Sequence, residues 1–541
     1  MESVGLIFTM LVAILLSGVI GRVLPWGIPL PLIQIVFGIV IAGVFKEGIN
    51  LNPEVFFLLF IPPLLFLDGW RIPKDALMRD KAGIFHLAFG LVFITVFGLG
   101  YLIHWMIPTM PLAVSFALAA IVSPTDPVAV AGITRRLPVP QRLMSILEGE
   151  ALFNDASGLV AFRMAVLAAM TGAFSLTQAA SSFVWVALAG LITGAAVTWG
   201  LSFIRERFTH RFGEEQGSEL LLSILTPFAA YIVAEKIGGS GILAAVAAGL
   251  TMSTIEFSGR ISPLTRVRRT ALWDTLQFTL NGIMFVLLGE QLPGIFNNAV
   301  LVVQQTGHHN PWWLVVYAFV ICLSLTALRF VWVSVSLFLM RLFARKPETL
   351  ATQWRHILIL SFAGVRGAVT LAGVLTLPLL LPDGAQFPGR DLAIFLAATV
   401  IIISLILASI VLPWLLKDLV PTGASKASHE KQKHIAIQTA QTLAAQHIDE
   451  LIASLDKNDL DQAYYDEVKN KLLSDFGNSF ALHTDSNSID YKKYYAERLL
   501  RLKIINTARA SIYQLAKEHK ISDELARELV QKLDLDEVRF N

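Results

Sequence analysis

Apolar residues fill this chain in long blocks, each interrupted by a few polar or turn-forming positions. A block of roughly 20 apolar residues is what a helix needs to cross the hydrocarbon of a bilayer. The blocks start near Gly5, Ile28, Val55, Gly83, Leu112, Leu143, Ser182, Glu219, Ile242, Ala271, Trp312, His356 and Leu392, which predicts about 13 spans. Those at Val55 and Ile242 are shorter than the ~20 residues that hydrocarbon requires. After residue 418 the texture changes. "KDLVPTGASKASHEKQKH" reads as a polar linker, followed by amphipathic patterns that predict soluble helices near 428–455, 459–475, 489–519 and 522–533. Ser522, with Asp523 and Glu524 behind it, has the chemistry of a helix start. The expected fold is all-α: a polytopic membrane domain over 1–418 and a helical tail over 419–541 for packing or regulation.

Composition supports the membrane reading. The 541 residues are 55% hydrophobic and 16% charged, against about 25% charged in soluble domains. A net charge of +2 offers no basic surface for nucleic acid. One cysteine, Cys322, excludes a disulfide framework or thiolate cluster within the chain. "HEKQKH" resembles a zinc-protease motif, but His429 and His434 are five apart, and two ligands on one helical face need four. The opening "MESVGLIFTMLVAILLSGVIGRVL" lacks the basic start of a cleaved signal and reads as a retained first span.

Basic residues alternate between loops. Arg71, Lys74, Arg79 and Lys81 follow the third block, and Arg135, Arg136 and Arg142 the fifth. Arg205, Arg207 and Arg211 follow the seventh, Arg260, Arg266, Arg268 and Arg269 the ninth, and Arg341, Arg345, Lys346 and Arg355 the eleventh. The alternate loops hold little beyond Lys46, Lys236 and Arg390. Positive loops stay in the cytoplasm. The expected topology has an odd number of spans, the N-terminus outside and the C-terminus in the cytoplasm of a bacterial inner membrane.

An ionisable side chain inside the bilayer is expensive and marks function by default. In "IVSPTDPVAV" the prolines at 124 and 127 disfavour helical backbone around Asp126. An unwound segment exposes carbonyl oxygens suited to a hard cation. In "EGEALFNDASGLV", Glu150 and Asn154 share a helical face, while Asp155 points about 100° further round. In "SFAGVRGAVTLAG", Arg366 lies between Gly364 and Gly367, which permit unwinding and close approach. Arg366 needs an acidic partner, with Glu150 the natural candidate and Asp68 another. Asp68, Arg163, Arg329 and the stripe Asp274, Gln277, Asn281 suit structural pairing or interface positions better. The interrupted fifth and twelfth spans occupy corresponding places if the first six spans repeat as the last six. Inverted repeats of that kind hold an ion site between their broken helices.

"SPTDPVAV", "GEALFNDASG" and "FAGVRGAV", in this order, resemble the signatures of sodium/proton exchangers of the cation:proton antiporter-1 branch, over about residues 1–418. The resemblance implies a homodimer among membrane lipids, a core moving against a dimerisation domain, and exchange of sodium or potassium for protons with no cofactor. It implies Asp155 as the shared cation and proton site, shaped by Asp126 and the Thr125 carbonyl, with Asn154 marking the electroneutral branch and Glu150–Arg366 as an ion pair. The sequence departs from the family at Ala151, where many members carry serine; Ser157 or water could replace that ligand. It departs again at Leu67, where many members carry an acid; Asp68 follows, and a gating or accessory role is assigned to it.

The chemistry requires few parts. A carboxylate removed from water holds its proton more tightly. It can then take a proton or a cation, not both, and competition alone couples the two flows at one for one. A potassium/proton antiporter is the neighbouring reading. A cation channel wants rings of carbonyls or acids around a pore, and these broken segments occur singly. A sensor would need an output motif in the tail, and an enzyme a nucleophile with its base; neither pattern occurs.

Overall fold

The computed structural model describes residues 2–417 apart from 24–27, 46–52, 73, 135–138, 173–175, 213–214, 257–262, 306–309, 311, 344–353 and 383, together with scattered positions beyond 441. The chain forms two compact units, Met1–Val420 and Pro421–Asn541. In the second, described positions such as 503–505 and 507–512 are helical, and Arg509 pairs with Glu537. Most of the helices expected in the tail, and the His429–His434 spacing, lie outside the described residues.

The first unit is built of helices: α1 (Glu2–Val23), α2 (Leu30–Val44), α3 (Pro53–Arg71), the short α4 (Lys74–Arg79) and α5 (Lys81–Phe85), and α6 (Leu91–Met106). Then come α7 (Leu112–Ile121), α8 (Pro127–Thr134), α9 (Gln141–Thr171), α10 (Leu176–Phe212), α11 (Gln216–Ile237) and α12 (Gly241–Glu256). The series ends with α13 (Pro263–Gln305), α14 (Trp312–Phe343), α15 (Trp354–Phe362), α16 (Ala368–Leu375) and α17 (Arg390–Leu416). Eight of the described helices are long and apolar enough to cross a membrane, and Leu30–Val44, Leu112–Ile121 and Gly241–Glu256 are shorter apolar ones. Every start expected from hydropathy falls in a helix or within two residues of one. Several helices overrun their apolar block. Arg205, Arg207 and Arg211 belong to α10, and Arg266, Arg268 and Arg269 to α13, not to loops. Hydropathy marks where hydrocarbon ends; arginine is a good helix former, so the helix continues. Part of that basic set is even buried: Glu219 lies 3.7 Å from Arg205 and 4.0 Å from Arg269.

A turn of π-helix, His86–Gly90, joins α5 to α6. The Trp332 indole N–H donates to the His86 carbonyl at 2.8 Å, which occupies an oxygen that the widened turn leaves open.

Two of the helix crossings depend on a glycine from each helix. A Cβ on Gly38 of α2 would sit 2.0 Å from the Val286 carbonyl oxygen of α13, and one on Gly289 of α13 would sit 2.0 Å from that of Ile35. Between α3 and α12, a Cβ on Gly69 would meet the Val246 oxygen at 2.6 Å, and one on Gly249 the Phe66 oxygen at 2.1 Å. Small residues let helix backbones touch in a bilayer, where apolar burial against lipid gives little. If the first six spans repeat as the last six, α2 corresponds to α12 and α3 to α13, and the two crossings are counterparts. Helix α9 runs through the middle, its Leu152, Ala156, Leu159 and Val160 in the main core.

Candidate ion site

Helix α7 stops at Ile121, and the chain runs non-helically through Ser123, Pro124 and Thr125 before α8 begins at Pro127. Proline at the first helical position is favoured there, because its missing N–H would have no partner. Asp126 caps the new helix: its Oδ1 accepts the Val128 N–H at 2.9 Å and the Ala129 N–H at 3.1 Å. The second break, between α15 and α16, crosses the first directly. The Asp126 N–H donates to the Val365 carbonyl at 2.8 Å. A Cβ on Gly367 would lie 2.1 Å from Asp126 Oδ2, so no other residue fits there without displacing the carboxylate.

Four half-helix ends therefore meet inside the membrane, and each needs compensation. Asp126 answers the N-terminus of α8. Arg366 answers the C-terminal end of α7, donating from one nitrogen to the Ser123 carbonyl at 2.7 Å and the Pro124 carbonyl at 3.1 Å. Its own N–H goes to Ser404 Oγ of α17 at 3.1 Å. The ion pair expected between Glu150 and Arg366 does not form. Glu150, 0% exposed, is gripped by Arg329 of α14, 1% exposed. Arg329 Nη1 bonds Glu150 Oε1, and Nη2 reaches Oε2 at 2.6 Å. Arg329 Nε donates to the Leu360 carbonyl at 2.6 Å, near the end of α15. The physical reason is division of labour. Arg366 is anchored to the carbonyls of the first break, while Arg329, held through its Nε at the end of α15, presents both terminal nitrogens to the carboxylate in a bidentate bond.

One turn along α9 from Glu150, Asn154 clamps the first break. Its Nδ2 donates to Thr125 Oγ1 at 3.0 Å and approaches Glu150 Oε1 at 3.4 Å, while its Oδ1 accepts the Thr125 N–H at 3.3 Å. Asn154 thus fixes Thr125 rather than facing open space. Asp155, the next residue, is 5% exposed, and its Oδ1 is buried with no hydrogen-bond partner. It lines a chamber of about 30 Å³ shared with Asp126, Thr125, Asp68, Asn281 and Thr370. That is room enough for a water molecule or a small cation. Asp68 and Gln277 also line an adjoining cavity of about 270 Å³, whose walls include Arg71, Glu148 and Ala151. Arg71 holds the rim, bonding Asp274 and donating to Gln277 Oε1 at 2.8 Å.

The site residues divide accordingly. Asp155, Asp126, Thr125 and Asp68 come together around the chamber. Ser157 does not: its hydroxyl donates to the Asn154 carbonyl at 3.2 Å. Gln277 and Asn281, read from the sequence as structural, reach the chamber; their four-residue spacing on an apolar helix was the available signal. Arg329 gave no signal beyond its charge, and Thr370 none at all.

Two discontinuous helices crossing within the membrane, with an oxygen-lined chamber at the crossing, form the architecture of a secondary cation transporter. The chain belongs to the sodium/hydrogen exchanger family, whose transmembrane region matches residues 7–418. It is 40% identical to the uncharacterised Na(+)/H(+) exchanger YjcE of Escherichia coli, over 99% of this chain and 98% of that one. It is also 40% identical to a sodium, potassium, lithium and rubidium/H(+) antiporter of Bacillus pumilus, over 98% of this chain and 77% of that one. The sodium proton antiporter MjNhaP1 of Methanocaldococcus jannaschii shares the fold, with a TM-score of 0.57 at 17% identity over 77% of this chain and 99% of that one. The protein is a multi-pass membrane antiporter of that family, which is a class of transporters and not of enzymes.

Proposed function

We propose that the protein exchanges a monovalent cation, sodium in the first place, for protons across the bacterial inner membrane, one for one, by competition at Asp155. The observation that carries this reading is that Asp155, with a buried oxygen that has no hydrogen-bond partner, lines a chamber with room for a small ion. Hard monovalent cations prefer oxygen ligands. Asp155 supplies the charge, and Asp126, Thr125 and Asp68 supply further oxygens in the same chamber. Glu150 is neutralised by Arg329 and Glu148 lines the wider cavity, which leaves Asp155 as the α9 carboxylate of the chamber, free to gain and lose a proton. A cycle that swaps one proton for one monovalent cation there moves no net charge.

The basic residues around Arg71 support a cytoplasmic position for the wider cavity. With an odd number of spans, the N-terminus is periplasmic and the tail cytoplasmic. The working unit is a homodimer in lipid, whose core exposes Asp155 alternately to the two sides, and it needs no cofactor besides the transported ions. A second reading, potassium/proton exchange, is favoured by one observation: Ala151 presents no hydroxyl, and the neutral amides of Gln277 and Asn281 line the chamber. The Bacillus pumilus relative, named for four alkali cations, fits a site of that breadth.

Proteoliposomes carrying the purified protein test both. Sodium-, potassium- and lithium-driven proton flux is expected for the wild type and is abolished in Asp155→Asn, which keeps the wild-type melting profile. Exchange retained by Asp155→Asn removes this residue from the centre of the mechanism.

A further inference from the structure

Thr370 stands on the first turn of α16, at the second break. Its side chain is 1% exposed, and its hydroxyl is buried without a hydrogen-bond partner. Other threonines in the membrane helices donate to the carbonyl four residues back: Thr134 to Val130 at 2.9 Å, Thr226 to Leu222 at 2.7 Å, Thr251 to Ala247 at 2.7 Å and Thr399 to Phe395 at 2.8 Å. Thr370 has no such outlet. Helix α16 begins at Ala368, so the residue four back, Arg366, lies in the unwound break.

A buried hydroxyl left unpaired costs about 1–3 kcal/mol. Thr370 and Asp155 each carry such an oxygen, and both line the chamber of about 30 Å³ at the crossing. They come from different helices, α16 and α9. Ala151 has no hydroxyl and faces the wider cavity, not the chamber. Ser157 is turned to the Asn154 carbonyl. Among the described residues the other hydroxyl of the chamber is that of Thr125, whose Oγ1 already accepts from Asn154.

Resting on the assignment of Asp155 as the exchange site, we propose that the Thr370 hydroxyl is a direct cation ligand and sets the preference among alkali cations. A neutral oxygen dipole opposite a carboxylate stabilises the cation-loaded state and does little for the protonated one, because a protonated Asp155 carries no charge for it to complement. The hydroxyl therefore acts on cation affinity and selectivity. Its position on α16 ties the loaded ion to the second broken helix as well as to the first.

The experiment uses full-length protein in proteoliposomes, comparing the wild type with Thr370→Val, Thr370→Ser and Asp155→Asn. Apparent KM and maximal rate are measured for sodium, potassium and lithium at fixed pH. Cation-dependent stabilisation against thermal unfolding is measured in parallel, as a binding readout separate from transport. In Thr370→Val the apparent KM for sodium is expected to rise about tenfold or more. The sodium-to-potassium KM ratio shifts, the maximal rate stays near that of the wild type, and Thr370→Ser restores the wild-type values. Thr370→Ala gives the same comparison should the valine variant fold poorly. An unchanged KM ratio in the valine and alanine variants overturns the proposal, as does a serine variant that behaves like the valine one, which would make the role packing. If Asp155→Asn still exchanges ions, the underlying site assignment fails instead, and the two failures are distinguishable.

Discussion

Glu150 looks in the sequence like one of several acids on a single helix, and in the fold it is the fully buried half of an ion pair. Removing one partner of such a pair leaves an uncompensated charge, at about 3–5 kcal/mol. Glu150→Gln is therefore expected to lower the melting temperature of detergent-purified protein by several degrees. The double change Glu150→Leu with Arg329→Met should recover much of the loss in the same thermal assay, since neither charge remains; a double variant less stable than either single would contradict the pairing. Asn154 makes a separate prediction. It holds both the N–H and the hydroxyl of Thr125. Asn154→Ala should raise the apparent cation KM about tenfold through misplacement of Thr125, and leave the Glu150–Arg329 pair and the melting temperature less affected than Glu150→Gln does.

At the level of elements, function depends on two broken helices that touch through backbone. The Asp126–Val365 hydrogen bond and the contact between Gly367 and Asp126 Oδ2 define how close they come. Gly367→Ala forces a methyl group into a 2.1 Å gap. Overpacking of this kind costs about 1–3 kcal/mol, and here the atom that must move is a site carboxylate. Exchange is expected to fall by more than the loss of stability accounts for, which flux measurements below the melting transition would reveal. Wild-type flux in that variant would mean the crossing is looser than its geometry. Gly38→Ala provides the contrast. It strains the α2–α13 crossing, away from the chamber, and should destabilise the protein while leaving the cation KM unchanged.

For the whole molecule, a single site that takes either ion has two consequences. Protons compete with the cation, so once the pH lies below the point at which Asp155 binds its proton, each further unit of acidification should raise the apparent cation KM about tenfold. The maximal rate at saturating cation should not change. A fall in maximal rate without a change in KM would instead indicate a separate regulatory proton site. One-for-one exchange also moves no charge, so clamping the membrane potential at different values should leave the exchange rate constant. A rate that follows the potential would require a second charge in the cycle.

Much of this was legible in the linear chain. Apolar blocks of bilayer length dictate helices, because no other open element satisfies its backbone in hydrocarbon. Prolines 124 and 127 and the glycines beside Arg366 dictate the two breaks, because their backbone chemistry is local. Asp155 and Asp126 stand out because carboxylates in an apolar block are rare and costly. Contacts between helices were not legible. Glu150 and Arg329 are 179 positions apart, and the sequence offered Arg366 as an equally good partner. Only the tertiary structure decides, since it anchors Arg366 on the carbonyls of the first break and brings both terminal nitrogens of Arg329 to Glu150. The direction of a hydroxyl was equally hidden. Thr370 resembles any threonine in a membrane helix until the fold places it beside the chamber, where the carbonyl it would ordinarily bond lies in an unwound segment.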